Sequence, residues 1–377
     1  MKLVKALALL VGVSIVIAGC GSSGSSTTSG GTGASGSSAI PAATAAAQSE
    51  MAAWSAAKSK LPASSPPAAK DKFLVAVSCG VSIEGCRAIS QGHVEAAKAL
   101  GWKTQLIDGK GNAQGWSSAI QSAIQLKPDV IALGAIDPSA VADDLKAAKA
   151  AGIKVVATTS GPEAGSPGVD FSNGLEGISK PVGKDSADYA LSKSGKDTNA
   201  LVLYYPEFAA SLVRRDAFLA EYKKLCPTCK AKTLPVKIAE WGTTLPARIQ
   251  ATLQQNPNIN WIFNPADETA IDSANAIQAA GLTGKVKVVG GNGEKQSFQR
   301  VASDPSYAAV PATSYFLAAW EAADAANRLV SGDKPAPLIV QANRLMDQSN
   351  VKEVPSGQYY SGDFDFRKAY EALWGAQ

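Results

Sequence analysis

The residues of this chain that could hold a small ligand fall in short runs that follow apolar segments. They are Ser78, Ser82 and Glu84; Asp137; Thr158, Thr159 and Ser160; Tyr205 and Glu207; Trp241; Asn264 and Asp267; Asn292 and Glu294; and Thr313, Tyr315 and Phe316. Short hydroxyls, amides, a few carboxylates and several aromatics suit a polyhydroxylated solute. Hydroxyl groups need partners that donate and accept, and the C–H faces of a sugar pack on aromatic rings. From this set, Ser78, Ser82, Glu84, Thr159, Ser160, Tyr205, Trp241, Asp267, Asn292, Thr313 and Tyr315 are the candidate ligand-binding residues. Asp137 and Asp267 each precede a predicted helix, where a carboxylate more often caps backbone N–H groups than meets a ligand. Glu84 has the same competing role.

Catalytic constellations are missing. The one histidine, His93, falls inside a predicted helix, away from the strand ends where ligands gather, and is read as structural. There is no Gly-x-Ser-x-Gly elbow. Gly177 to Asp185 has five residues between its glycines where a phosphate loop needs four, and Asp185 stands where Ser or Thr should follow Lys184. Gly109, Gly111 and Gly115 miss the dinucleotide spacing, and no His/Cys/carboxylate set has metal-ligand spacing. The expectation is a binding protein with no catalytic residue, metal or cofactor.

The elements that must position these residues alternate regularly. Predicted strands are 73–78, 103–107, 129–133, 154–158, 168–171, 200–204, 232–236, 261–264 and 286–290. Between them lie amphipathic stretches at 84–100, 114–126, 138–151, 175–193, 207–225, 243–255 and 268–280, several stopped by glycines such as Gly101, Gly152 and Gly281. Near-continuous apolar strands separated by helices imply parallel sheets covered on both faces. In such sheets ligands bind beyond the carboxyl ends of the strands, which is where the residues above fall.

The start of the chain reads as an export signal. Lys2 and Lys5 precede an apolar run from Ala6 to Ala18, shorter than the roughly 20 residues that span a bilayer. It ends Ile17-Ala18-Gly19-Cys20, which resembles a bacterial lipobox and implies acylation of Cys20. Residues 21–38 are almost wholly Gly, Ser and Thr, the composition of a flexible tether. An Ala-rich stretch at 42–60 could be helical and is ended by Pro62, Pro66 and Pro67; the folded part is expected from about Asp71. The net charge of +4 falls to +2 once Lys2 and Lys5 leave with the signal, and no basic stripe invites nucleic acid. Four cysteines remain, Cys79, Cys86, Cys226 and Cys229. An even count in an exported chain suggests disulfides. Of three pairings, the local one (79 with 86, 226 with 229) is preferred; a redox role for Cys226-Pro-Thr-Cys229 is disfavoured because that motif follows a helix rather than a strand.

From about Asp71 to Val351 the chain resembles the type I periplasmic binding proteins of the ribose-binding-like branch. The resemblance is carried in order by Val75-Ala76-Val77-Ser78, Ala97-Lys98-Ala99-Leu100-Gly101-Trp102, Leu126-Lys127-Pro128-Asp129-Val130-Ile131, Ala151-Gly152-Ile153-Lys154-Val155-Val156, the run from Phe263 to Ala270, and Val288 to Gly293. It implies two doubly wound α/β lobes joined by three crossings, near Ser172-Asn173, Thr313-Ser314 and Asn343. The first lobe would hold 71–172 and 314–342, the second 173–313 with 343–377, after a signal at 1–19 and a lipidated, flexible tether at 20–70. It further implies a monomer on the outer face of the cytoplasmic membrane, passing a sugar-type or polyol ligand to an ABC permease and its ATPase. Presentation to a sensor, or a nucleoside or aromatic-acid ligand, stays open. Trp241 stands where the family sets an aromatic against the sugar, Asn292 where it usually carries an Asp, and Thr313 where it carries a hinge Gln. Departures are Thr159-Ser160 in place of an Asp-Arg pair, Ala266 in place of a ligand Asn, and Leu212 in place of an Arg. Arg214 and Arg215 lie on the following helix in a structural role, and the first loop is one residue longer, so Ser82 and Glu84 carry over least well.

Overall fold

A computed structural model describes residues 42–161, 166–339 and 341–375. The expected export signal and lipidated Cys20 lie outside the described residues. The chain builds two sheets. A helix, α1 (Ala42–Ser55), comes first. The first sheet then uses β1 (Phe73–Ser78), α2 (Glu84–Ala99), β2 (Lys103–Asp108), α3 (Ala113–Gln125), β3 (Val130–Gly134), α4 (Ala142–Ala150), β4 (Lys154–Thr158) and β5 (Phe171–Asn173). Its order is β2-β1-β3-β4-β5, every pair parallel.

The second sheet follows with α5 (Lys180–Ser194), β6 (Asn199–Tyr204), α6 (Ala209–Leu225), β7 (Lys230–Pro235), α7 (Leu245–Gln255), β8 (Trp261–Phe263), α8 (Asp267–Ala279), β9 (Lys287–Val289), α9 (Lys295–Ser303) and β10 (Tyr307–Ala312). The chain then returns to the first sheet with α10 (Tyr315–Val330), adds β11 (Arg344–Asp347) to the second, and ends in α11 (Phe366–Trp374). The second order is β7-β6-β8-β9-β10-β11, parallel except for the antiparallel last pair. The fold is therefore the two-lobed α/β arrangement expected.

The strands are apolar on both faces because both faces are covered. In β1, Leu74 and Ala76 join Trp320 of α10, while Val75 and Val77 join Ile120 of α3 and Leu145 of α4 on the opposite side. In β6, Leu201 and Leu203 face α7 and α8, and Val202 faces Phe218 of α6. Two glycines set helix spacing. A Cβ on Gly92 would stand 2.7 Å from the Ala319 Cβ, and one on Gly183 would stand 2.1 Å from the Arg214 carbonyl oxygen. Only glycine lets α2 approach α10, and α5 approach α6, this closely.

Several expectations change. The predicted helix at 138–151 is a 3-10 turn at Pro138–Val141 followed by α4, with the Asp137 carboxylate accepting from Ser139 N at 2.8 Å. The pairing β10–β11 and helix α9 went unpredicted. Residues 343–377 divide: β11 lies in the second sheet, but α11 stacks Trp374 on Trp320 of α10 (5.3 Å between rings), in the core of the first. The flexible tether expected over 20–70 also stops short, because the chain is helical from Ala42 and bonded to the folded body by Ser59. Cys79–Cys86 and Cys226–Cys229 form disulfides, with Cα separations of 5.5 and 5.4 Å. His93 is buried and bonded through Nε2 to Thr158 Oγ1 at 3.0 Å; burial lowers its pKa to about 3, so the ring is neutral.

Candidate functional site

Each sheet has one point where strand order reverses, between β1 and β3 in the first and between β6 and β8 in the second. Chains leaving neighbouring strands there depart to opposite faces and leave a crevice. The two crevices face one another across a shared cavity of about 70 Å³. The first sheet contributes Ile83, Gly85, Cys86 and Ile89 after β1, Ala135 and Asp137 after β3, and Thr159 and Ser160 after β4. The second contributes Tyr205, Phe208, Ser211 and Arg214 after β6, Trp241 after β7, Pro265, Ala266 and Glu268 after β8, and Asn292 after β9. Tyr315, at the start of α10, closes the hinge side.

Six of the eleven candidates line this cavity: Thr159, Ser160, Tyr205, Trp241, Asn292 and Tyr315. Trp241 packs on Tyr205 with ring centroids 4.8 Å apart. The Tyr205 hydroxyl is buried and bonded to the Thr269 hydroxyl, so its ring rather than its oxygen faces the cavity wall. Thr159 and Ala135 adopt left-handed backbone conformations (φ +51° and +54°) at the ends of adjacent strands. Such strain in non-glycine residues gathers at functional sites.

The other five stand outside the lining. The Ser78 hydroxyl donates to the Cys86 carbonyl at 3.3 Å and accepts from Gly80 N at 3.3 Å, fixing the turn after β1. Ser82 is exposed. Glu84 bridges the lobes instead: its backbone N donates to Glu268 Oε1 at 3.2 Å, and its carboxylate accepts from Lys295 N at 3.4 Å. Asp267 shapes the loop after β9, accepting from Gly291 N (2.8 Å), Asn292 N (3.2 Å) and Glu294 N (2.7 Å). Thr313 is buried beside Asn292, with its N donating to the Asn292 carbonyl at 3.3 Å.

Sequence reasoning missed Arg214, Glu268 and Phe208 as lining residues. Arg214 is buried and its two Nη groups donate to the Pro265 carbonyl, the Gly291 carbonyl (3.1 Å), Asn292 Oδ1 (2.6 Å) and the Tyr315 hydroxyl (3.2 Å). It thereby fixes the two loops and the hinge tyrosine in one frame. Phe208 spans the lobes, 6.1 Å from the ring of Trp116 on α3. Glu268 follows the helix-opening Asp267, which drew the attention of the sequence reading. Burial, reinforced by the Asp267 and Glu84 carboxylates, raises the Glu268 carboxyl to about 7. Glu294 is raised by burial and by its neighbours Glu268 and Asp267.

Four lining groups have buried polar atoms with no protein partner: Thr159 Oγ1, Arg214 Nε, Trp241 Nε1 and Glu268 Oε2. Two of them can only donate, one both donates and accepts, and the carboxyl oxygen accepts or, protonated, donates. Unmet buried groups are costly, so this set is complementary to a molecule with several groups that do both. Among the described residues the one carboxylate triad with metal-ligand proximity is Glu50, Asp188 and Glu221, none of which lines this cavity, and Lys184 bridges it.

Comparison with known proteins agrees with this geometry. The profile of the periplasmic binding protein domain matches residues 75–334. The ribose import binding protein of Bacillus subtilis (strain 168) is 24% identical over 265 residues, covering 69% of this chain and 82% of that protein. Among solved structures, an ABC transporter solute-binding protein from Agrobacterium vitis with bound allitol superposes with TM-score 0.66 at 22% identity, covering 75% of this chain and 98% of that one. A solute-binding protein from Mycobacterium smegmatis with bound glycerol gives TM-score 0.67 at 21% identity, covering 78% and 100%. At these identities the structures speak for the fold.

Proposed function

This chain belongs to the periplasmic binding protein family, and from that premise we propose that it captures a small polyhydroxylated ligand, of the sugar or polyol type, between its lobes for an ABC importer. The carrying observation is the set of unpartnered buried groups, Thr159 Oγ1 from one lobe and Arg214 Nε, Trp241 Nε1 and Glu268 Oε2 from the other, around one cavity. Hydroxyl groups answer all four, since each donates and accepts. The Trp241, Tyr205 and Phe208 rings supply the apolar surface that a ring or chain of C–H groups needs. With Thr159-Ser160 in place of a charged clamp, the first lobe offers the ligand the Thr159 hydroxyl and the second offers Arg214, Trp241 and Glu268.

Capture works by closure. Contacts from both lobes stabilise the closed form only when ligand spans them, so binding shifts an opening equilibrium. Delivery then requires a permease and its ATPase as partners. Acylation of Cys20 would keep the protein at the membrane surface with its cleft free, and no helix among the described residues is long and apolar enough to cross a bilayer. A thermal-shift screen of pentoses, hexoses, polyols, nucleosides and aromatic acids tests the ligand class, because a ligand bound only by the native state raises the melting point. Stabilisation by sugars or polyols, with a smaller radius of gyration in solution scattering, is expected. Stabilisation by nucleosides or aromatic acids alone would overturn the sugar assignment.

A further inference from the structure

Residues 42–70 dock on both lobes, and they do so in two separate pieces. The first piece is α1, which lies on α5 and α6. Ala47 is fully buried against Leu191, Phe218 and Phe263. Glu50 reaches Lys184 Nζ on α5 at 2.9 Å and Lys224 Nζ on α6 at 3.1 Å. Those two ammonium groups hold the Glu50 carboxyl below its usual range.

The second piece docks on α10 and α11, in the first lobe. Asn327 of α10 grips it from both sides: Ala69 N donates to Oδ1 at 2.9 Å, and Nδ2 donates to the Pro66 carbonyl at 3.0 Å. Ala68 N donates to the Trp374 carbonyl at 2.9 Å. Trp102 Nε1 donates to the Ala69 carbonyl at 2.8 Å.

Between the pieces, Ser59 stands beside the third chain crossing. Its Oγ accepts from Ala342 N, and its own N donates to Asp363 Oδ2, both at 3.0 Å. Three residues, Ala56, Ala57 and Lys58, separate the end of α1 from Ser59. Extended, the step from Ser55 to Ser59 spans at most about 14 Å. A link this short cannot pay out when the lobes part.

We propose that residues 42–70 form a fourth interlobe connection, a strap laid beside the hinge that limits how far the lobes open. The proposal rests on the two-lobe hinge but on no particular ligand. A small rotation about the crossings keeps Ser59 near the axis and leaves both docked pieces in place. Wider opening or twisting must strip α1 from α5, at the cost of the buried Ala47 contact and the Glu50 ion pairs.

The test uses ligand-free protein carrying spin labels at Lys110→Cys and Thr243→Cys, exposed positions on opposite rims of the cleft, read by pulsed electron resonance. Two variants loosen the strap: deletion of 42–58, and Ala47→Glu, which keeps the chain length but sets a carboxylate in the α1–α5 contact. Circular dichroism confirms that each is folded. The expected result is a distance distribution shifted to longer values and broadened in both variants. Superimposable distributions in folded variants, with two populations present in each, would refute the strap. A single narrow distance in every protein, unchanged by allitol, glycerol or ribose, would instead count against the hinge reading itself.

Discussion

Replacing Trp241 with Ala removes the largest ring on the cavity wall while leaving the frame around Arg214 intact. The indole packs on Tyr205 at 4.8 Å, and its Nε1 has no protein partner. Two losses follow on ligand binding. The ring's apolar contact with the ligand is worth about 1–3 kcal/mol, on the scale of one buried aromatic. The N–H bond to a ligand hydroxyl is worth about 0.5–1.5 kcal/mol net. Trp241→Phe separates them, because it keeps most of the ring and drops the donor. At about 1.4 kcal/mol per tenfold in Kd, Trp241→Phe should weaken binding roughly 2- to 12-fold, and Trp241→Ala, which loses both contributions, roughly 12- to 1600-fold. Titration calorimetry with the best ligand from the thermal-shift screen reads both. Folding should change little, since Trp241 is only partly buried and lies at the margin of its core. Wild-type affinity in Trp241→Ala would take the ring out of the ligand's surface and undo the account of the cavity. Equal losses in both variants would show that the donor alone matters.

Other expectations follow from the same geometry. Gly85 lets α2 approach the second lobe, with a Cβ there meeting Glu294 Oε1 at 3.1 Å and the Tyr315 ring at 3.7 Å; Gly85→Val should wedge the cleft, weakening binding and enlarging the liganded protein in solution scattering. Arg214→Met should leave the Pro265 and Gly291 carbonyls without a donor, while Asn292 Oδ1 keeps the Tyr315 hydroxyl, costing about 2 kcal/mol or more of stability by denaturant unfolding, since each stranded buried acceptor costs about 1–3 kcal/mol. Glu268 holds its proton more tightly in the closed form, with a pKa raised to about 7, than in an open form where it meets water. Binding should therefore be strongest below the ordinary carboxylate pKa of about 4.3 and weaken as pH rises to about 7, then level off; Glu268→Gln should flatten the calorimetric pH profile, and an unchanged profile would place Glu268 outside the closure equilibrium.

The order of elements was legible in the sequence because strands covered on both faces must be apolar throughout, and because glycines such as Gly101, Gly152 and Gly281 mark helix ends. Both disulfides were legible for a simpler reason: Cys79 with Cys86 and Cys226 with Cys229 are close along the chain. The strand-end rule then placed Thr159, Ser160, Tyr205, Trp241, Asn292 and Tyr315 in loops that line the cavity. What it could not give was side-chain direction. Ser78 and Asp267 sit in those same loops but turn to backbone N–H and C=O groups, whereas Arg214, read as a structural residue of a helix, reaches the cavity. Phe208 and Gly85 matter only because the lobes meet, and a contact between lobes leaves no period in the chain. Strand β10 hid behind Pro311 and a run of alanines, and α11 chose the first lobe through Trp374 stacking on Trp320, a contact between residues far apart in sequence. The docking of residues 42–70 was likewise decided by the tertiary structure, since small alanines and backbone carbonyls acquire partners only once the surfaces that receive them exist.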